Sequence, residues 1–173
     1  MSGSSEVRIN CVTFLIHTRS PHMPQSLSNI LVHIVFSTKD RVPFLRDAVL
    51  RSEMHAVIGG TSKSLKCPPI IVGGIEDHIH LLAQQARTIS LSDWVKELKR
   101  VTSIWVKNRS TEATEFGWQA GYGAFSVSHS QSPIVSKYIQ DQESHHQAKD
   151  FKTEFREFLM RHEVDYDERY VWD

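Results

Sequence analysis

Glu76-Asp77-His78-Ile79-His80-Leu81-Leu82 places two imidazoles two residues apart, inside an apolar, β-branched run that begins at Pro69-Ile70-Ile71-Val72. Side chains alternate along a strand, so His78 and His80 share one face while Ile79 turns to the other. Two neutral imidazoles side by side make half of a divalent-metal site. The Asp77 carboxylate next to them is of the kind that orients an imidazole from behind, or that closes a turn. Further along, Tyr138 and Gln142 stand at the i,i+4 spacing of one helix face in Ser136-Lys137-Tyr138-Ile139-Gln140-Asp141-Gln142. A metal site paired with a tyrosine hydroxyl is the equipment of a nucleophilic attack on a phosphodiester.

Each of these signals also has a plainer reading. Paired histidines occur as satisfied core groups, a tyrosine on an amphipathic helix usually packs, and Gln142 alone reads equally well as a solvated helix residue. His145-His146 offers a competing zinc site with His78 and His80. Trp118, Tyr122 and Phe125 are either a platform for stacked bases or aromatics filling a sheet edge.

The elements that must position these groups follow from periodicity. Asn29 to Ser37 is a dense, β-branched buried strand. Arg46 to about Lys63 reads as a helix with Val49, Met54, Val57 and Ile58 on one side, with Gly59-Gly60 as a possible early stop. Cys67 to Ile75 is a second strand whose Gly73-Gly74 allows a bend or a close backbone approach. Ile79 to Ala83 is a third. A helix capped by Ser90 or Ser92 runs to about Asn108, with Leu91, Val95, Leu98, Thr102 and Trp105 toward the core. Gly117 to Ser128 ends in a fourth strand. Ser132-Pro133 opens a helix, with the cap at Ser132, that holds Ile134, Tyr138, Gln142 and His145; a last helix over about Asp150 to His162 carries Phe151, Phe155, Phe158 and Leu159. This order matches the split βαβ, ferredoxin-like arrangement. The fold class is therefore α+β: an antiparallel sheet with two covering helices, plus C-terminal helices that carry the tyrosine across the other face.

A chain of 173 residues supports one domain, over residues 23–173, preceded by an irregular extension over residues 1–22. Hydrophobic content of 40% and charged content of 23% are those of a soluble globule. Cys11 and Cys67 have no metal-ligand spacing and fit a reducing cytoplasm, and no apolar run is long enough to span a bilayer. The formal net charge of +0 does not advertise a nucleic-acid binder, but its distribution is uneven. Residues 87–109 carry a net of +4, and residues 160–173 a net of −3. A local basic patch binds phosphate even when an acidic tail cancels it in the sum.

Four segments, taken together, resemble one family: His33-Ile34-Val35-Phe36-Ser37-Thr38-Lys39, Asp77-His78-Ile79-His80-Leu81-Leu82, Trp118-Gln119-Ala120-Gly121-Tyr122-Gly123-Ala124-Phe125-Ser126-Val127, and Tyr138-Ile139-Gln140-Asp141-Gln142-Glu143-Ser144-His145-His146. They look like the single-tyrosine HUH transposases of small bacterial insertion sequences and their REP-associated relatives. The likeness covers about Met23 to Trp172, and Met23-Pro24-Gln25-Ser26 reads like that family's usual start. It implies that His78, His80 and Gln142 hold a metal and that Tyr138 is the nucleophile.

The implied reaction is transesterification on single-stranded DNA through a 5′-phosphotyrosine. A phenol with a pKa of about 10 is only ~0.1% ionised at neutral pH, so a cation is needed to polarise and position the phosphate. Mg²⁺ is the expected ion and Mn²⁺ its substitute. Two imidazoles and an amide carry no charge, so metal binding is expected to be weak until DNA phosphate oxygens complete the shell. The expected partners are single-stranded or hairpin DNA, with Lys96, Lys99, Arg100 and Lys107 on its phosphates, and a second copy of the chain in a homodimer with composite sites. The other readings are a non-catalytic ferredoxin-like nucleic-acid-binding module and a small metallohydrolase using His78, His80 and His145.

Overall fold

The computed structural model describes residues 27–109, 114–145, 150–169 and 171–172. The extension expected over residues 1–22 lies outside the described residues. In chain order come β1 (Leu31–Ser37), α1 (Ala48–Ser64), β2 (Pro69–Gly74), β3 (His78–Gln84), α2 (Leu91–Arg109) and β4 (Gly123–Val127). Among the described residues, three further helices follow: α3 (Ser132–Gln140), the short α4 (Gln142–His145) and α5 (Phe151–Arg161). The sheet order is β2-β3-β1-β4 with every neighbouring pair antiparallel. β1 and β2 therefore run in the same direction on either side of β3, which is the split βαβ arrangement that the element order predicts.

Register decides what each face does. On one face Val32, Ile34 and Phe36 of β1 lie opposite Ala83, Leu81 and Ile79 of β3. They are buried with Met54 and Ile58 of α1 and Trp94, Val95, Leu98 and Val106 of α2. Each buried Val, Leu, Ile, Phe or Met among them contributes about 1.5–3 kcal/mol by leaving water. The buried stripe of α1 runs Met54, Ile58, Ser62, which leaves Val49 largely exposed rather than in the core. Gly59-Gly60 does not stop α1; the helix continues to Ser64. Its start is fixed by Asp47, whose carboxylate accepts from the backbone N–H groups of Val49 and Leu50. Ser90 caps α2 by accepting from the backbone N–H of Asp93.

On the opposite face β1 presents Leu31, His33, Val35 and Ser37, and β3 presents His78, His80 and Leu82, with Ser37 opposite His78 and Val35 opposite His80. Helices α3 and α5 cover this face. Two glycines let them come close. A Cβ at Gly73, the β2 neighbour of His80, would lie 2.6 Å from the Ile139 carbonyl oxygen. A Cβ at Gly123 would lie 2.6 Å from Cε2 of Phe155. The glycine pair read as a close approach thus marks where α3 lies down on β2.

The C-terminal region departs from expectation in two places. Ser132 is already helical (φ −52°) and provides no side-chain cap; a short 3₁₀ turn over His129–Gln131 leads into it. The single helix expected to hold Tyr138, Gln142 and His145 breaks at Asp141 (φ −90°, ψ 13°). The Asp141 carbonyl is taken by both the backbone N–H and the hydroxyl of Ser144 three residues on, which tightens the turn.

Candidate metal and tyrosine site

His78 and His80 are fully buried at the start of β3, with their Nε2 atoms directed to one point. Nδ1 of His78 lies 2.7 Å from Oδ1 of Asp77, and Nδ1 of His80 lies 2.9 Å from Nε2 of His33. Each outer nitrogen is thus held by a neighbour, which turns the inner one toward the centre.

Two helices complete the centre. Oε1 of Gln142 approaches Nε2 of His78 at 3.2 Å, and the Gln142 amide N–H donates to Oε1 of Glu154 at 3.1 Å. The second carboxylate oxygen of Glu154 lies 4.0 Å from Nε2 of both histidines. His78, His80 and Glu154 each offer a ligand atom, all within 4.8 Å of one another, and all three residues are buried. Two imidazoles, a carboxylate and an amide oxygen form a donor set that suits a divalent cation. Burial pushes the Glu154 carboxyl up to about 7, helped by Glu157 and Asp77 and opposed by His78. Burial also brings His33 down to about 3, with the charge of His162 adding to the effect, so its ring stays neutral.

Tyr138 lies against this centre. Its ring meets that of His80 edge-on at 5.7 Å between centroids and that of His33 at 6.3 Å. Phe158 of α5 covers it from the other side at 5.6 Å. The helix break at Asp141 does not carry Tyr138 and Gln142 to different places: Tyr138 reaches His80 and Gln142 reaches the adjacent His78.

The basic residues of α2 sit elsewhere, since α2 packs on the far face of the sheet. Lys96 and Lys107 are exposed. Arg100 pairs with Glu97 through two hydrogen bonds. Lys99 donates to the carbonyl oxygens of Gln119, Ala120 and Gly121, and burial lowers its pKa to about 8. Lys96, Lys99 and Arg100 border a surface depression that also includes Tyr122. Of the aromatic trio, Trp118 packs on Phe36 and Phe116 and donates to Thr102, and Phe125 is buried; Tyr122 alone is exposed. With α3 and α5 over the sheet, its face is not an open stacking platform. The side chain of His145, and all of His146, lie outside the described residues.

The family model described as "Transposase IS200 like" matches residues 26–142, which spans β1 through Gln142. The chain belongs to the IS200-like transposase family. Among solved structures, this transposase is similar to a candidate transposase of Deinococcus radiodurans R1, with a TM-score of 0.52 and 18% identity over 69% of this chain and 95% of that one. It is also similar to a REP-associated tyrosine transposase bound to a REP hairpin, with a TM-score of 0.53 and 11% identity over 73% of this chain and 74% of that one. At these identities the likeness is one of fold. None of the curated proteins matches the sequence. Among the described residues of this transposase, no helix is long and apolar enough to cross a membrane.

Two members of the cluster were not anticipated. Glu154 lies past the family match, and its signal is a carboxylate on the apolar stripe of α5, one turn from Phe151 and from Phe158. His33 alternates with Ile34 on β1, on the same face as His78 and His80, but strand pairing is what brings it to His80.

Proposed function

We propose that this transposase is a divalent-metal-dependent transesterase that cuts and rejoins single-stranded DNA, with Tyr138 as its nucleophile. The observation that carries this reading is the packing of Tyr138 against His80 beside a buried donor set of His78, His80, Gln142 and Glu154. The Tyr138 hydroxyl oxygen attacks the phosphorus and the P–O3′ bond breaks. The leaving oxygen takes up a proton as the phenol loses one, which gives a 3′-hydroxyl and a 5′-phosphotyrosyl bond. Attack by another 3′-hydroxyl reverses the step without ATP, because the bond energy is kept in the ester.

His78, His80, Gln142 and Glu154 would hold the cation, and when bound it supplies Lewis-acid polarisation of the phosphate. Mg²⁺ is the proposed ion, with Mn²⁺ favoured by the two nitrogen donors in vitro. Asp77 keeps His78 in the ligating tautomer. Helix α3 holds the phenol at a fixed place against His80, so attack needs little reorientation. The hairpin in the REP-associated neighbour supports folded single-stranded DNA as the substrate here, with Lys96, Arg100 and Lys107 on its phosphates.

A homodimer remains part of the proposal. Contact between Tyr138 and His80 of one chain supports a site completed within that chain. Mixing His78→Ala/His80→Ala protein with Tyr138→Phe protein tests this: a site completed in cis leaves every mixed species inactive after subunit exchange, while recovered cleavage means that the tyrosine acts in trans.

A further inference from the structure

All four donors of the proposed centre are inaccessible in this conformation. His78 and His80 are 0% exposed, Gln142 1% and Glu154 7%. A scissile phosphate cannot reach the two imidazoles while α5 stays where it is. What closes the approach is chemically specific: the group over both Nε2 atoms is a carboxylate oxygen, at 4.0 Å from each. A carboxylate and a phosphodiester are alike in the respects that matter to a hard cation, since each brings one negative charge and a terminal oxygen donor.

We infer that Glu154 is an internal stand-in for the DNA phosphate, a charged ligand on α5 that holds the cation in the DNA-free protein and is displaced when the substrate strand enters. This deepens the metal-dependent reading above and rests on it. Imidazoles and an amide alone give a neutral set, so among the four described donors the Glu154 carboxylate is the charged one that helps retain a divalent ion before DNA arrives. The Glu154 oxygen occupies the approach to both Nε2 atoms that a phosphate oxygen must take, so the strand reaches the centre only as Glu154 moves aside. Glu154 is on the separable element. It belongs to the last helix, outside the four-stranded sheet, and α5 rests on the sheet through Phe151, Phe155 and Leu159. The same helix sets Phe158 against Tyr138, so moving α5 uncovers the nucleophile along with the ligand position. The inferred role predicts metal binding in the DNA-free protein stronger than the neutral His78, His80 and Gln142 set alone would give.

Competition makes a prediction of opposite signs. The test uses full-length protein in a Tyr138→Phe background, Mn²⁺ titrated by calorimetry without DNA, and a fluorescein-labelled oligo(dT) titrated by anisotropy at saturating Mn²⁺. Glu154→Gln is expected to weaken Mn²⁺ binding by about tenfold or more and to tighten oligo(dT) binding several-fold. Phe158→Ala, which loosens α5 without removing a donor atom, is expected to tighten oligo(dT) binding as well, and it stands alone as the test should Glu154→Gln fail to fold. Loss of both affinities in Glu154→Gln would assign the residue a structural role and overturn the inference. So would unchanged Mn²⁺ binding, or weaker Mn²⁺ binding with no gain for DNA. His78→Ala run in parallel separates the two levels: if it retains full Mn²⁺ binding, the metal centre itself is wrong, whatever Glu154 does.

Discussion

His33 and His80 are diagonal neighbours across the β1–β3 ladder, and Nε2 of the first lies 2.9 Å from Nδ1 of the second. When Nε2 of His80 serves as a metal donor, the His80 proton sits on Nδ1 and His33 is its acceptor. Asp77 does the same for His78. Both imidazoles are thereby oriented by a neighbour at Nδ1, with their Nε2 atoms aimed at a common point.

Removing the acceptor should therefore disturb metal binding through His80. His33→Leu is expected to weaken Mn²⁺ binding about 10–100-fold. His33→Gln, whose amide oxygen can accept the same proton, should recover most of the loss. Titration of both variants with Mn²⁺ in the absence of DNA checks this, and equal losses would show that His33 matters only as packing.

Among the donors, His78→Ala and His80→Ala should each abolish cleavage, with little rescue by excess Mn²⁺. Gln142→Ala should be milder, since water can replace one amide oxygen. Single-turnover cleavage of single-stranded DNA over a range of Mn²⁺ concentrations ranks them, and normal cutting by both histidine variants would make the pair structural.

Gly73→Ala isolates the seat of the tyrosine helix. The added Cβ would meet the Ile139 backbone at 2.6 Å, so α3 must lift from β2. A loss of about 1–3 kcal/mol in stability is expected, together with slower cleavage, as Tyr138 precedes Ile139. Thermal unfolding and adduct-forming rate measure the two effects; an unchanged rate would separate the position of α3 from catalysis.

Acid should destabilise the fold partly through His55. Burial, with the charge of Arg51 adding and that of Glu143 opposing, lowers its pKa from 6.5 to about 4. The unfolded chain takes up this proton below pH 6.5 while the native chain refuses it until about pH 4, so stability falls as pH falls through that window. The slope from one such group is at most about 1.4 kcal/mol per pH unit. His33 acts in the same direction; Glu154, raised to about 7, acts in the opposite one between pH 7 and 4.5. Comparison with His55→Gln cancels those two. Unfolding midpoints of the variant should drop less than those of the wild type between pH 6.5 and 4.5, and parallel curves would mean that His55 is protonated in the native state.

Much of this architecture is legible in the sequence because its signals are local. Alternation in Leu31–Ser37 and His78–Gln84 gives the strands and also the shared face of His78 and His80. The i,i+4 spacing of Tyr138 and Gln142 gives a common side even though the helix breaks between them. Glu154 was not legible. Its partners lie 76, 74 and 12 residues away, at His78, His80 and Gln142, and nothing in the α5 pattern says which part of the sheet that helix covers. Lys99 illustrates the same gap: its charge reads as a phosphate contact, yet its ammonium group is engaged by three carbonyls of the loop over Gln119–Gly121. The Thr38–Trp118 bridge and the bond from the Gln119 N–H to the Ser37 carbonyl hold that loop beside the end of β1.

The central claim is that Tyr138 forms a covalent bond to DNA with the help of a cation held by the paired histidines. Incubation of the protein with labelled single-stranded DNA from the region flanking its gene, in the presence of Mg²⁺ or Mn²⁺, tests it directly through denaturing electrophoresis and peptide mass mapping. The account predicts a denaturant-resistant adduct at Tyr138 that is absent with chelator and absent in Tyr138→Phe, whose DNA affinity stays within a few-fold of wild type. An adduct that persists in Tyr138→Phe, or one that forms equally well in chelator, would contradict it.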